Sequence, residues 1–201
     1  MSYNNTEHRS QYTVSDNLNK KRHILLCGFM AAGKSSIGRT LANYLDLPFF
    51  DLDNVIEQKE NLPISLIFNK FGEVYFRKKE LESLNNLLDM PASVIALGGG
   101  ALQDQETVNL IRKNSILVYL DVPISLIIKR LYNNKTRPLL YNDDGSKRDK
   151  EQLKTYLNEL HKKREILYLQ SDYCLKIHPN WNQEYTAEKV AKYIRKNLSQ
   201  S

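Results

Sequence analysis

The amino-acid sequence predicts a three-layer α/β/α fold around a central five-stranded parallel sheet, and three observations carry that prediction. Five short runs of apolar and β-branched residues recur along the chain. Longer amphipathic stretches separate them, the alternation expected when crossover helices cover both faces of a parallel sheet. The runs are nearly continuous in apolar residues, as in strands covered on both faces.

The expected strands are, in order, Ile24–Cys27, Phe49–Leu52, Val94–Leu97, Ile116–Leu120 and Tyr173–Ile177. Between them, apolar residues at three- and four-residue spacing predict helices from near Lys34, over Asp53–Glu60, Pro63–Leu88, Gln105–Lys113, Pro123–Leu131 and Lys150–Gln170, and finally over Thr186–Asn197. Pro63 and Pro123 suit first-turn positions, where the missing N–H is not needed. One stretch interrupts the pattern. From Asn133 to Asp149 the chain is polar and contains Pro138, Gly145 and two adjacent aspartates, which predicts a long mobile loop of the kind that serves as a lid.

Residues 1–21 are polar, rich in Asn and Ser and without periodicity, so a disordered leader is expected there. Glu7 and Asp16 argue against a transit peptide. The remainder, 22–201, is long enough for one complete core and reads as a single domain. With 41% hydrophobic and 26% charged residues, the composition is that of an ordinary soluble globular protein. No stretch approaches the roughly 18 apolar residues of a membrane span, so a cytoplasmic protein without a membrane partner is expected. The net charge of +6 comes from scattered Lys and Arg that often neighbour acids, as in Arg77-Lys78-Lys79-Glu80, which argues against a nucleic-acid partner. Cys27 and Cys174 lie in apolar runs that read as buried strands, suiting small core residues in a reducing compartment.

The strongest chemical signal is Gly28-Phe29-Met30-Ala31-Ala32-Gly33-Lys34-Ser35, which fits G-x-x-x-x-G-K-[ST] between an apolar strand and an amphipathic helix. Glycines let the backbone turn around a phosphate so that N–H groups and the helix N-terminus face negative oxygens. Lys34 adds a mobile cation for the β- and γ-phosphates, and Ser35 offers a hydroxyl to Mg²⁺. A nucleotide and magnesium follow, but a kinase is not distinguished from an ATPase, a GTPase or a nucleotide-gated switch.

Acceptor residues are sought at the carboxyl ends of the other strands, where ligands of open α/β sheets bind. Asp51 and Asp53 close the second run and, in a pure strand, would face the same side. Asp51 suits Mg²⁺, directly or through water. Asp53 suits the attacking hydroxyl as hydrogen-bond acceptor and base, and equally suits the N-cap of the following helix. Gly98-Gly99-Gly100 concentrates three of the chain's 8 glycines immediately after a buried strand, which points to a ligand pressed against main chain. Arg137, before Pro138 in the lid, can bring a cation to the transferring phosphoryl group. Arg77 and Arg164 read locally as helix-surface charges.

The order of these motifs resembles the shikimate kinase family of nucleoside-monophosphate-kinase-like P-loop kinases, over about residues 22 to 197. The residues that carry the resemblance are Gly-Phe-Met-Ala-Ala-Gly-Lys-Ser-Ser-Ile-Gly-Arg, the Asp-Leu-Asp end, Gly72-Glu73 through Phe76-Arg77 to Glu80, the triple glycine, Arg137-Pro-Leu-Leu and Arg164-x-x-Leu-Tyr. The resemblance implies phosphoryl transfer from ATP to the 3-hydroxyl of shikimate, by a monomer, on the route to chorismate and aromatic amino acids. It implies that Lys34, Asp53 and Arg137 act in catalysis, and that Ala31, Ala32, Gly33, Lys34, Ser35, Ser36 and Arg137 hold ATP. It further implies that Asp53, Arg77, Gly98, Gly99, Gly100 and Arg164 hold shikimate, the two arginines through its carboxylate, and that Ser35 and Asp51 order Mg²⁺.

Some positions depart from the family pattern. Ala31 and Ser36 stand where Gly and Thr are common, Asn61 stands where Gly is usual, and Pro179-Asn180-Trp181-Asn182 lacks a basic residue, leaving Trp181 or Asn182 to contact adenine. The competing readings are a related P-loop kinase such as a gluconate kinase, and a non-catalytic nucleotide-binding module. The first would lack the Asp-x-Asp, Phe-Arg and triple-glycine set; the second would have lost an acceptor residue.

Overall fold

β1 (His23–Cys27) runs through the middle of the sheet with every residue buried, because it has neighbours on both edges and helices on both faces. The computed structural model describes residues 23–132, 146 and 148–198. The expected leader, nearly all of the expected lid, and Arg137 lie outside the described residues. After β1 come α1 (Lys34–Leu45), β2 (Phe49–Asp51), α2 (Leu52–Glu60), α3 (Ile64–Leu88), β3 (Val94–Ala96), α4 (Gln105–Asn114), β4 (Ser115–Asp121), α5 (Ile124–Tyr132), α6 (Lys150–Tyr168), β5 (Tyr173–Lys176) and α7 (Gln183–Leu198). The order across the sheet is β2-β3-β1-β4-β5, and every pairing is parallel. Leu25 pairs with Ile95 on one side and Leu117 on the other, and all three are fully buried. All carboxyl ends therefore point the same way, and the loops that leave them share one rim.

Several expected boundaries move for local reasons. β2 stops at Asp51, which turns from extended backbone into α2 and accepts a hydrogen bond from the Asp53 N–H at 3.1 Å. Asp51, not Asp53, is thus the N-cap, and Asp53 sits in the first helical turn, not on the strand. Pro63 and Pro123 stand one step before their helices. The Pro63 carbonyl receives the N–H groups of Leu66 and Ile67, and the Pro123 carbonyl those of Leu126 and Ile127, so each proline opens the helix through its acceptor. α6 ends at Tyr168, and α7 begins three residues early, where the Asn182 side chain accepts from the Tyr185 N–H. Asn61 closes α2 in the left-handed conformation (φ 53°), as its residue type allows.

Two further findings overturn the sequence reading. The run expected as one helix from Pro63 to Leu88 is broken at Gly72, whose φ of 79° and ψ of 175° are non-helical. Cys174 is exposed, because β5 is an edge strand whose residues alternate between core and solvent, whereas Cys27 on β1 is buried.

Candidate active site

The phosphate loop spans the gap between β1 and α1 at the centre of the rim. Gly28 (φ 137°) is pressed so closely against β4 that a Cβ there would lie 2.7 Å from the Leu120 carbonyl oxygen. The buried Lys34 ammonium donates to the carbonyls of Gly28 at 2.9 Å and Phe29 at 3.1 Å, which folds its chain back along the loop. Burial lowers its pKa to about 8, against the pull of Asp53, Cys27 and Asp51. The Ser35 side chain is exposed at the start of α1, and the Ser36 hydroxyl donates to the Gly33 carbonyl at 3.0 Å. Ala31 is held left-handed at φ 55°.

A cation that sequence reasoning missed braces this loop. Arg130, in the last turn of α5, donates from Nη1 to the Ala31 carbonyl at 2.8 Å. It also lines a cavity of about 390 Å³ shared with Ala31, Ala32, Gly33, Trp181 and Asn182. No local signal marks it, since a lone Arg on an amphipathic helix is an ordinary surface residue. Asn182 also lines this cavity, but its side-chain oxygen is engaged in capping α7.

Beside the loop lies a second, acidic and basic, cluster. The Asp53 carboxyl is pushed up to about 6, first by burial and then by Asp51 and Glu80, with Lys34 opposing. Gly98 makes room for it: a Cβ there would lie 2.8 Å from Asp53 Oδ1 and 3.1 Å from Glu80 Oε1. Glu80, only 3% exposed, receives Arg77 Nη1 at 2.7 Å and Gln103 Nε2 at 3.1 Å. Burial raises its pKa and Arg77 counters that shift. The sequence reading quoted Glu80 as part of a motif but gave it no role.

Arg77 and Arg164, far apart in sequence, converge over the triple glycine. Arg77 donates to the Gly100 carbonyl at 3.2 Å, and Arg164 to the Gly99 carbonyl at 2.8 Å. A point one bond off the Gly100 Cα lies 2.9 Å from Arg77 Nη2 and 3.2 Å from Arg164 Nη2. The Tyr168 hydroxyl also donates to Gly99 O, at 2.6 Å. The arrangement is a slot with two guanidiniums at one end, a carboxylate of raised pKa beside Gly98, and the phosphate loop alongside, where a Gly99 Cβ would meet the Met30 nitrogen at 3.3 Å.

Residues 30–198 match the protein family described as Shikimate kinase. The chain belongs to the shikimate kinase family. Among relatives, a shikimate kinase from Chlorobium phaeobacteroides is 35% identical over 89% of this chain and 95% of its own. The solved structure of shikimate kinase from Acinetobacter baumannii in complex with shikimate superposes with a TM-score of 0.79 at 34% identity, covering 91% of this chain and 98% of that one. A gluconokinase from Sinorhizobium meliloti reaches a TM-score of 0.56 at 14% identity, with 90% and 95% covered, a likeness of fold alone. As a shikimate kinase family member the chain is a P-loop kinase in fold, and the five-stranded parallel sheet agrees. Among the described residues no helix is long and apolar enough to cross a membrane.

Proposed function

We propose that this family member transfers the γ-phosphoryl group of ATP to the 3-hydroxyl of shikimate, with Asp53 as base and Arg77 and Arg164 as the carboxylate clamp. The observation that carries the reading is the convergence of the two guanidiniums at Gly100, across the slot from Asp53. A small acid with a ring hydroxyl needs this pairing. The planar guanidinium forks suit two carboxylate oxygens, and a carboxylate suits the hydroxyl at the far end. With a pKa near 6, Asp53 is ionised at neutral pH yet basic enough to take a proton from the attacking oxygen.

In the reaction, the acceptor oxygen forms a bond to the γ-phosphorus as the bond to the bridging oxygen of ADP breaks, and the hydroxyl proton passes to Asp53. Lys34 exchanges its bonds to the Gly28 and Phe29 carbonyls for phosphate oxygens, stabilising the charge that moves from γ to β. Arg137 supplies a second cation to the same phosphates. Ala32, Gly33 and Ser36 line the path of the phosphates. Arg130, Trp181 and Asn182 receive the adenine, the guanidinium plane and the indole each offering a flat face to the base.

Mg²⁺ fits the donors present. Ser35 and Asp51 are hard oxygen ligands, and Asp51 acts electrostatically on Lys34, which puts its charge at the phosphate loop. Bound there with ATP, the ion would neutralise phosphate charge. The same reading has the enzyme acting as a monomer, as the family resemblance implies, and in the cytoplasm.

The test is shikimate-dependent ADP release, with gluconate and water as competing acceptors. Release that depends on shikimate and falls at least 100-fold in Asp53→Asn supports the reading. Release that ignores shikimate overturns the substrate, and full turnover in Asp53→Asn removes Asp53 from the mechanism.

A further inference from the structure

We infer that His161 is a positioning residue: it ties α6 to the phosphate loop and to β4, and so sets where Arg164 stands. His161, Arg164 and Tyr168 are spaced three and four apart on α6, which puts them on one face of the helix. That face meets the phosphate loop at the ring of Phe29. The His161 imidazole meets Phe29 edge-on, with centroids 5.4 Å apart and an interplanar angle of 82°, and the Arg164 guanidinium carbon lies 6.0 Å from the centre of the same ring. Phe29 itself is 1% exposed and cannot move without its loop.

On its other side His161 Nε2 lies 3.1 Å from the hydroxyl of Tyr119, a residue 1% exposed on β4 that pairs with Cys27 at the end of β1. The Tyr119 ring packs on Tyr168 with centroids 5.1 Å apart, and Tyr168 holds the Gly99 carbonyl. Other polar groups near this pair are Asp121, 3.4 Å from the Tyr119 hydroxyl, Glu165, 3.9 Å from His161 Nδ1, and the Cys174 thiol on β5. His161 thus joins the loop that carries nucleotide chemistry to the helix that carries the acceptor clamp. An aliphatic side chain would pack against Phe29 but release Tyr119, and α6 would lose its one polar tie to β4 on this face among the described residues. Small displacements of a clamp are costly in rate.

The inference rests on the clamp assignment for Arg164, so Arg164→Met is measured beside the His161 variants. His161→Leu is expected to raise the shikimate KM about fivefold, the worth of one partly buried hydrogen bond, with the ATP KM within about twofold. Tyr119→Phe, which loses one oxygen atom, should reproduce that shift, and the double variant should be no worse than either single, because both remove the same bond. His161→Gln, whose amide nitrogen can reach the Tyr119 hydroxyl, should restore most of the shikimate KM. A fall in melting temperature without a change in shikimate KM would mean a purely structural residue and overturn the inference, as would additive effects in the double variant. If Arg164→Met raises the shikimate KM while His161→Leu and Tyr119→Phe do not, positioning fails and the clamp stands. If Arg164→Met leaves it unchanged, the clamp fails and takes the inference with it.

Discussion

Asp53 is the residue on which chemistry and stability pull in opposite directions. Burial, Asp51 and Glu80 raise its pKa from 3.8 to about 6, so between those values the native state binds a proton that the unfolded chain has released. Folding is therefore favoured at the acid end and loses on the order of 2 kcal/mol as pH rises through about 6. Asp53→Asn is expected to abolish turnover yet raise the melting temperature by about 3 °C near pH 7.5, with the gain vanishing near about pH 4. Calorimetry across that range checks it, and a variant no more stable than wild type at neutral pH would mean the carboxylate is not strained. By the same titration, wild-type kcat/KM should fall below about pH 6 as Asp53 protonates. Ala31 stores strain of another kind, since its φ of 55° costs a residue with a Cβ about 1 kcal/mol. Ala31→Gly should raise the melting temperature by a few degrees and leave the ATP KM within about twofold; a loss of stability would show that the loop tolerates alanine without strain. The phosphate-loop residues and the triple glycine were legible because each sits in a local pattern whose meaning does not depend on distant chain. Arg130 was not, because its partner, the Ala31 carbonyl, is 99 residues away in sequence and no local pattern announces it.

At the scale of elements, α3 shows what periodicity hides. Apolar spacing runs through the break at Gly72, so the sequence reads as one helix, while the backbone there takes a conformation open essentially to glycine alone. Beyond its own helix and chain neighbours, none of the described residues lies within 4 Å of where a Cβ would sit, so the constraint is in the backbone rather than in packing. The break re-aims the following turns, which carry Arg77 and Glu80 to the triple glycine. Gly72→Ala is therefore expected to cost about 2 kcal/mol and to raise the shikimate KM with little effect on the ATP KM. If stability falls and the shikimate KM does not move, the break is a local accommodation that does not aim Arg77. The end of β2 was misread for a related reason. Alternation places Asp51 and Asp53 on one face of a strand, but the Asp51 carboxylate captures the Asp53 N–H and starts a helix, which carries Asp53 inward beside Glu80 and Lys34. Strands and helices were legible from patterns that span them; their ends are decided by single hydrogen bonds.

Across the sheet, function is separated from foundation: every candidate ligand residue among the described ones lies at or beyond the strands' carboxyl ends, and His23 anchors the opposite end of β1. Its side chain is fully buried, with Nε2 3.1 Å from the Leu88 carbonyl and Nδ1 2.9 Å from the Ser93 hydroxyl. The carbonyl requires a proton on Nε2, which leaves Nδ1 to accept from serine, so the neutral ring satisfies both partners. Burial lowers its pKa below 6.5, outweighing the backbone carbonyls of Leu88 and Met90 that pull the other way. For a depressed histidine the unfolded chain binds the proton first, so the contribution is present above about pH 6.5 and is lost as pH falls through it. Asp53 changes stability in the opposite sense over part of the same range, so the wild-type profile alone would not separate the two. His23→Gln does, because the Asp53 contribution is common to both proteins and cancels in the difference. The glutamine amide can still donate to Leu88 but cannot gain charge, so the variant should be less stable near about pH 8 and lose less on acidification to about pH 5.5. Its kcat should stay near wild type, since the substitution lies at the end of the sheet away from the phosphate loop. Parallel stability profiles for the two proteins would show that His23 is not the group that titrates, and would shift attention to carboxylates at the rim.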